Sequence, residues 1–162
     1  MKGVFKGILV LIILAVVVGG VAFFAVPMNN KLVLNKFSRQ LKEAELPEST
    51  ELIASEQQYG RLIGDKNGLD FLAVIIIKSE LSITQLKEFY NEKVYFNAKD
   101  THNEIDLYIY NMESSSINNL IELNTEVSFD ELSGITDLSD YYAIILIDAG
   151  YPAGLDHNGY GF

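Results

Sequence analysis

The hydrophobic pattern of this chain opens on a stretch with no alternation at all. Gly7 to Met28 (GILVLIILAVVVGGVAFFAVPM) is 22 consecutive positions without a charge or a strongly polar side chain. At ~1.5 Å rise per residue such a helix covers the ~30 Å hydrocarbon core of a bilayer, which takes ~20 apolar residues. A helix satisfies its backbone donors and acceptors internally, so a segment in lipid can be this uniformly apolar and still tolerate Gly19 and Gly20. Pro27 falls near the end of the run, where its missing N–H is expected to matter least. Residues 31–45 (KLVLNKFSRQLKEAE) then take up a helical period. At about 100° per residue Val33, Leu34, Phe37, Leu41 and Ala44 share one face, with Lys31, Asn35, Lys36, Arg39 and Lys42 opposite, while Leu32 and Leu46 break the pattern. This predicts a helix that continues from the apolar run and packs its stripe on the rest of the protein. The alternative is an amphipathic helix whose basic face touches anionic lipid headgroups. Pro47 is expected to end it, since the residue before a proline is pushed out of the helical region.

Beyond Pro47 the period shortens. Thr50–Ile63 reads as a strand, and Gly64-Asp65-Lys66-Asn67-Gly68 as a hairpin turn, because Asn-Gly supplies the positive φ of tight turns. Phe71–Ile77 (FLAVIII) is a continuous, β-branched apolar run of the length of a strand buried on both faces. Ser82-Ile83-Thr84-Gln85 is a capping box flanked by Leu81 and Leu86 as a hydrophobic staple, and it predicts a helix over 83–92 with Leu86, Phe89 and Tyr90 inward. Val94–Asn97 is a short candidate strand. Glu104–Met112 alternates Ile105, Leu107 and Ile109 against Asp106, Tyr108 and Tyr110, and Ile121–Phe129 alternates in the same way, so both read as half-buried strands. Asp130–Asp137 reads as a turn or short helix. Tyr141–Ile147 (YYAIILI) is a second continuous apolar strand, expected to lie centrally beside 71–77. Ala149–Phe162, with four glycines and one proline, is expected to be loop. Several strands and one well-marked helix predict an α+β domain, mainly an antiparallel sheet covered on one face. The expected organisation is a transmembrane anchor over 1–28, a juxtamembrane amphipathic helix over 29–46 and an α+β soluble domain over 47–162.

The apolar run has a rival reading as a cleaved signal peptide, with Lys2 and Lys6 as its positive start and Ile8–Val18 as its apolar core. Cleavage after Ala25 would place bulky Phe23 three residues before the cut. Cleavage after Ala22 places Gly20 there, but leaves Phe23, Phe24, Ala25 and Val26 as an apolar new terminus. The uninterrupted length exceeds a typical signal core, which favours a retained signal anchor. Lys31, Lys36, Arg39 and Lys42 on the far side would, by bare count, hold that side in the cytoplasm. Long domains translocate largely regardless of charge, so the domain is expected to be extracytoplasmic, on a single-pass anchor in the cell membrane.

Charge is uneven along the chain. Residues 31–99 hold ten Lys or Arg and ten Asp or Glu, whereas residues 100–162 hold twelve Asp or Glu and no Lys or Arg. The net charge of -10 repels phosphate backbones and argues against a nucleic-acid partner. The acidic half could attract a basic protein surface, but charge asymmetry alone makes no site, and a solvated acidic surface is the simpler reading. The chain has no cysteine, so a disulfide framework, a thiolate metal site and a cysteine nucleophile are excluded.

Candidate chemistry is sparse. Asp65–Asp70 superficially resembles a calcium loop, but its glycine is fourth rather than sixth and its twelfth position is Ile76, so a hairpin turn is the better account. His102 lies in a polar stretch that reads as a surface turn. Asp148, Asp156 and His157 offer carboxylate and imidazole groups suited to a hard cation or zinc, and are the weak metal candidates of the chain. No Gly-x-Ser-x-Gly, phosphate loop or dinucleotide fingerprint occurs, so no catalytic or cofactor-binding residue is assigned and no cofactor is expected. The stretch Gly64–Ser82 (GDKNGLDFLAVIIIKSELS), with the closing Tyr151-Pro152…Asp156-His157 segment, resembles a group of small uncharacterised membrane-anchored proteins of Gram-positive bacteria. The resemblance implies an envelope protein with an N-terminal hydrophobic segment and one short domain, and no catalytic residue. The expected function is that of a membrane-anchored, extracytoplasmic binding or interaction module. The alternatives are a metal-binding protein or metal-dependent enzyme built on the Asp/His tail, and a cytoplasm-facing domain tethered to the membrane.

Overall fold

The structure is a computed structural model that describes residues 2–63, 68–113, 129–154 and 156. The apolar run and the stripe after it form one helix, α1, Lys2–Lys42, which passes through Pro27 without ending. Pro27 thus lies inside a 41-residue helix rather than near an end, and the helix stops at Lys42 instead of reaching Leu46. The two parts of α1 meet different surroundings. Ile8 to Val18 and Phe24 are more than half exposed, whereas Leu34, Phe37 and Leu41 are at most 4% exposed. The predicted stripe therefore packs on the domain, while Lys31, Asn35, Lys36 and Arg39 face outward. Among the described residues α1 supplies the one helix long and apolar enough to cross a membrane, with a mean hydropathy of 3.1 and no protein covering its apolar window.

Among the described residues the remaining elements are β1 (Thr50–Gly60), β2 (Leu69–Ser79), α2 (Ile83–Asn91), β3 (Leu107–Asn111), a 3₁₀ turn at Asp130–Leu132, and β4 (Tyr141–Tyr151). The strands form one antiparallel sheet in the order β1-β2-β4-β3, so the two continuous apolar runs pair centrally, with Ile75 opposite Ile144. β3 and β2 both run antiparallel to β4, and α2 makes the crossover between them. This is an N-terminal apolar helix followed by an α+β domain, as the pattern predicts. The capping box forms as read: the Gln85 N–H donates to Ser82 Oγ and the Ser82 N–H donates to Gln85 Oε1 at 3.0 Å.

Alternation along β2 and β4 assigns the two faces. Leu69, Phe71, Ala73, Ile75 and Ile77, with Tyr142, Ile144 and Leu146, pack under Leu34, Phe37 and Leu41 of α1 and Leu86 and Tyr90 of α2. The other face is covered too, in contrast to the one-sided sheet expected. Leu72, Val74, Ile76, Ala143 and Ile145 lie beneath Phe129, Leu132, Ile135 and Leu138. A sheet whose central strands are apolar at every position must be covered on both sides, and here an irregular segment serves in place of a helix. Two further expectations are corrected. Val94–Asn97 is not a strand but makes a single bridge, Phe96 to Glu104. Ala149–Tyr151 is not loop but the end of β4. Of the predicted turn at Gly64–Gly68 and the predicted strand at Ile121–Phe129, residues 64–67 and 121–128 lie outside the described residues.

Candidate functional site

β1 runs antiparallel to α1: Lys42 and Asn35 both bond Gln57, and the Tyr59 hydroxyl, further along β1, donates to the Pro27 carbonyl at 3.3 Å. The exit of β1, the entry of β2 and the exit of β4 therefore all lie at the end of the sheet nearest Pro27. Most of the buried polar chemistry of the domain gathers there.

Asp70 is its first centre. It interrupts the apolar run between Leu69 and Phe71 and is only 4% exposed. Its Oδ2 accepts the N–H groups of Leu62 (3.0 Å) and Ile63 (2.9 Å), and its Oδ1 accepts that of Gly150 (2.9 Å). One carboxylate thus ties together the chain leaving β1, the start of β2 and the end of β4. The ladder between β2 and β4 shifts register at this point, and Gly150 takes the positive φ of +91° that the extra residue of the bulge requires.

The second centre holds two of the three candidate ligands. Asp148 Oδ2 accepts from the Ala98 N–H (2.7 Å) and the Tyr151 hydroxyl (2.6 Å), and Oδ1 accepts from Asn97 Nδ2 (3.4 Å). Asp156 is fully buried and accepts from Asn30 Nδ2 of α1 at 2.6 Å, across 126 residues of sequence. The Lys99 ammonium lies 5.1 Å from the Tyr151 ring centroid and 5.5 Å from that of Phe71. Desolvation lowers its pKa, opposed by the negative charges of Asp156 and Asp148. Burial raises the Tyr151 phenol, and its hydrogen bond to Asp148 raises it further. The hydrogen bonds to Asp148 tie the 97–98 backbone and side chain to the end of β4.

Asp148 and Asp156 are thus brought to the same lysine, while His157 lies outside the described residues. Among the described residues no group of three or more His, Cys, Asp or Glu is placed to hold a metal ion. His102 sits in an exposed turn, where its backbone N–H donates to Asp100 Oδ1 at 2.9 Å and lowers the Asp100 pKa. A shallow cleft of about 140 Å³ lies between Lys36, Phe37 and Gln40 of α1 and the 96–101 loop. It is well below the ~300 Å³ at which small-molecule sites begin.

Sequence reasoning missed Asp70, Asn30 and Lys99. Asn30 carried a signal, since positions 30, 34, 37 and 41 fall on one helical stripe and an amide on an apolar stripe needs a buried partner. Asp70 carried one too, as a lone charge at the mouth of an apolar run. Comparison of the chain with family models, curated proteins and solved structures returns no match.

Proposed function

We propose that this is a single-pass membrane protein whose α+β domain stands outside the cytoplasm as a binding or interaction module. The observation that carries the reading is the division of α1: one unbroken helix presents a bare apolar surface over Ile8–Val18, with Phe23, Phe24 and Met28 exposed beyond it, and then buries Leu34, Phe37 and Leu41 in the domain's core. A bare apolar surface of that length is stable in lipid and unfavourable in water. A non-catalytic role is supported by the use made of the buried polar side chains. Asn30, Asp70, Ser79, Asp148 and Asp156 each bond a backbone or side-chain group of another segment, and Ser38 bonds the Asn35 carbonyl within α1.

The test exploits the absence of native cysteine. His102→Cys replaces a side chain that is 93% exposed. It is expected to react with a membrane-impermeant maleimide on intact cells, with the protein retained in membranes washed at alkaline pH. Labelling only after lysis would overturn the outward orientation in favour of a cytoplasm-facing domain. Release by the alkaline wash would overturn the anchor itself.

A further inference from the structure

We infer that the Pro27 end of the sheet, led by the segment leaving β1, rests on the lipid headgroups of the bilayer that α1 crosses; this builds on α1 being a membrane span but not on which side the domain lies. Three observations lead there. First, no linker separates span from domain. The apolar run ends at Met28, Asn30 is already tied to Asp156, and Leu34 is already in the core. One turn of helix advances only about 5.4 Å, so the domain is held against the membrane surface. Second, the direction of β1 sets which end is down. Tyr59 meets the carbonyl of Pro27, inside the last turn of the apolar run, and β1 ends one residue further on, at Gly60. A tyrosine with an apolar ring and a wet hydroxyl is suited to that depth.

Third, the group that projects from this end is apolar and rigidly held. Ile63 is 43% exposed, although its backbone is fixed by Asp70. A fixed, exposed isoleucine is unfavourable in water and favourable at a lipid boundary. At this end Asp70, Asp148 and Asp156 are buried and hydrogen-bonded inward, and Lys31 and Lys99 are exposed. At the opposite end Glu48, Glu51, Glu80 and Asp140 are exposed, as is Lys78. The exposed ammonium groups at this end can meet the phosphate layer of a bilayer.

The test places a fluorophore at single introduced cysteines of the full chain, reconstituted in vesicles of phosphatidylethanolamine and phosphatidylglycerol containing a headgroup nitroxide lipid. A probe on Ile63→Cys is expected to lose most of its emission to the nitroxide, and a probe on Glu80→Cys, at the opposite end, to keep most of its own. Pro152→Cys, just beyond β4 at the Pro27 end, supplies a second site should residue 63 fail to accept the label, with the same expected loss. Equal quenching at both ends, or stronger quenching at residue 80, would overturn the seating while leaving the span intact. Loss of the protein from the vesicles on alkaline washing would overturn the span and the seating together.

Discussion

Replacing Asp70 with alanine probes the joint on which the Pro27 end of the sheet depends. The carboxylate accepts three backbone N–H groups, of which that of Leu62 is in a buried bond and those of Ile63 and Gly150 are in part-buried ones. A hydrogen bond to a charged group contributes ~1.5–3 kcal/mol, and a buried donor left without a partner costs ~1–3 kcal/mol. Water can reach the two part-buried donors once the side chain is cut back, so the full cost falls mainly on Leu62. We expect Asp70→Ala to lower stability by about 3 kcal/mol on that basis. Asp70→Asn should lower it less, because an amide keeps one acceptor while turning an NH₂ toward donors. The assay is urea unfolding of the full chain in non-ionic detergent, followed by tyrosine fluorescence, with hydrogen exchange read at individual amides. Exchange should accelerate first at Leu62, Ile63 and Gly150. A loss below about 1 kcal/mol, or a loss with those three amides still protected, would refute the idea that Asp70 is the tie.

Phe37→Ala removes a fully buried ring that joins α1 to Phe71 at 6.4 Å between centroids; a cost of about 3–5 kcal/mol is expected in the same unfolding assay, and a cost typical of a surface site would show that α1 does not share the core. Tyr90 and Tyr95 have buried hydroxyls without a hydrogen-bond partner, so Tyr95→Phe should be neutral or slightly stabilising in thermal melts, and a clear destabilisation would reveal a partner for that hydroxyl. Burial pushes the Tyr95 phenol from 10.0 up to about 12; its neutral form therefore supports the fold fully below pH 10, and that contribution is lost as pH rises toward 12. Stability should fall across this window, less steeply in Tyr95→Phe, and an unchanged slope would remove Tyr95 as the cause. Titration of zinc into the full chain by calorimetry should give no stoichiometric binding, because Asp148 and Asp156 already accept hydrogen bonds beside Lys99; stoichiometric binding lost in His157→Ala would establish the tail as a metal site.

What could be read from the sequence was whatever depends on neighbours along the chain. The continuous runs of β2 and β4, the capping box and the apolar stripe of α1 are of this kind, because burial and capping act at fixed spacing. What escaped depends on partners distant in sequence. Val94–Asn97 has the composition of a strand, yet Gln40 of α1 takes up both polar groups of the Phe96 backbone, at 2.9 Å and 2.8 Å. Tyr95 and Asn97 bond the 103–105 segment on the other side, so Gln40 stands where a further strand would pair, and no local pattern announces that amide. Ala149–Tyr151 read as loop because of Gly150, but a glycine within a strand also marks a bulge, where pairing resumes on the far side.

The same distinction explains the cover on the second face of the sheet. Phe129, Leu132, Ile135 and Leu138 recur every third residue, a spacing that fits neither the two-residue alternation of a strand nor the stripe of an α-helix. Only the first turn of the segment, Asp130–Leu132, is helical, and as a 3₁₀ turn it has the three-residue period that brings positions i and i+3 to the same side. The central strands announce that something must cover them, since Val74, Ile76, Ala143 and Ile145 are too apolar to face water. Their composition fixes the demand, and the three-residue repeat of 129–138 identifies the segment able to meet it. Asn30 and Asp156 stand in the same relation, because each is a polar group that burial obliges to find a partner. An amide on the α1 stripe and a carboxylate in the tail are complementary, and pairing them ties Asp156 to the helix at the point where it leaves its apolar run.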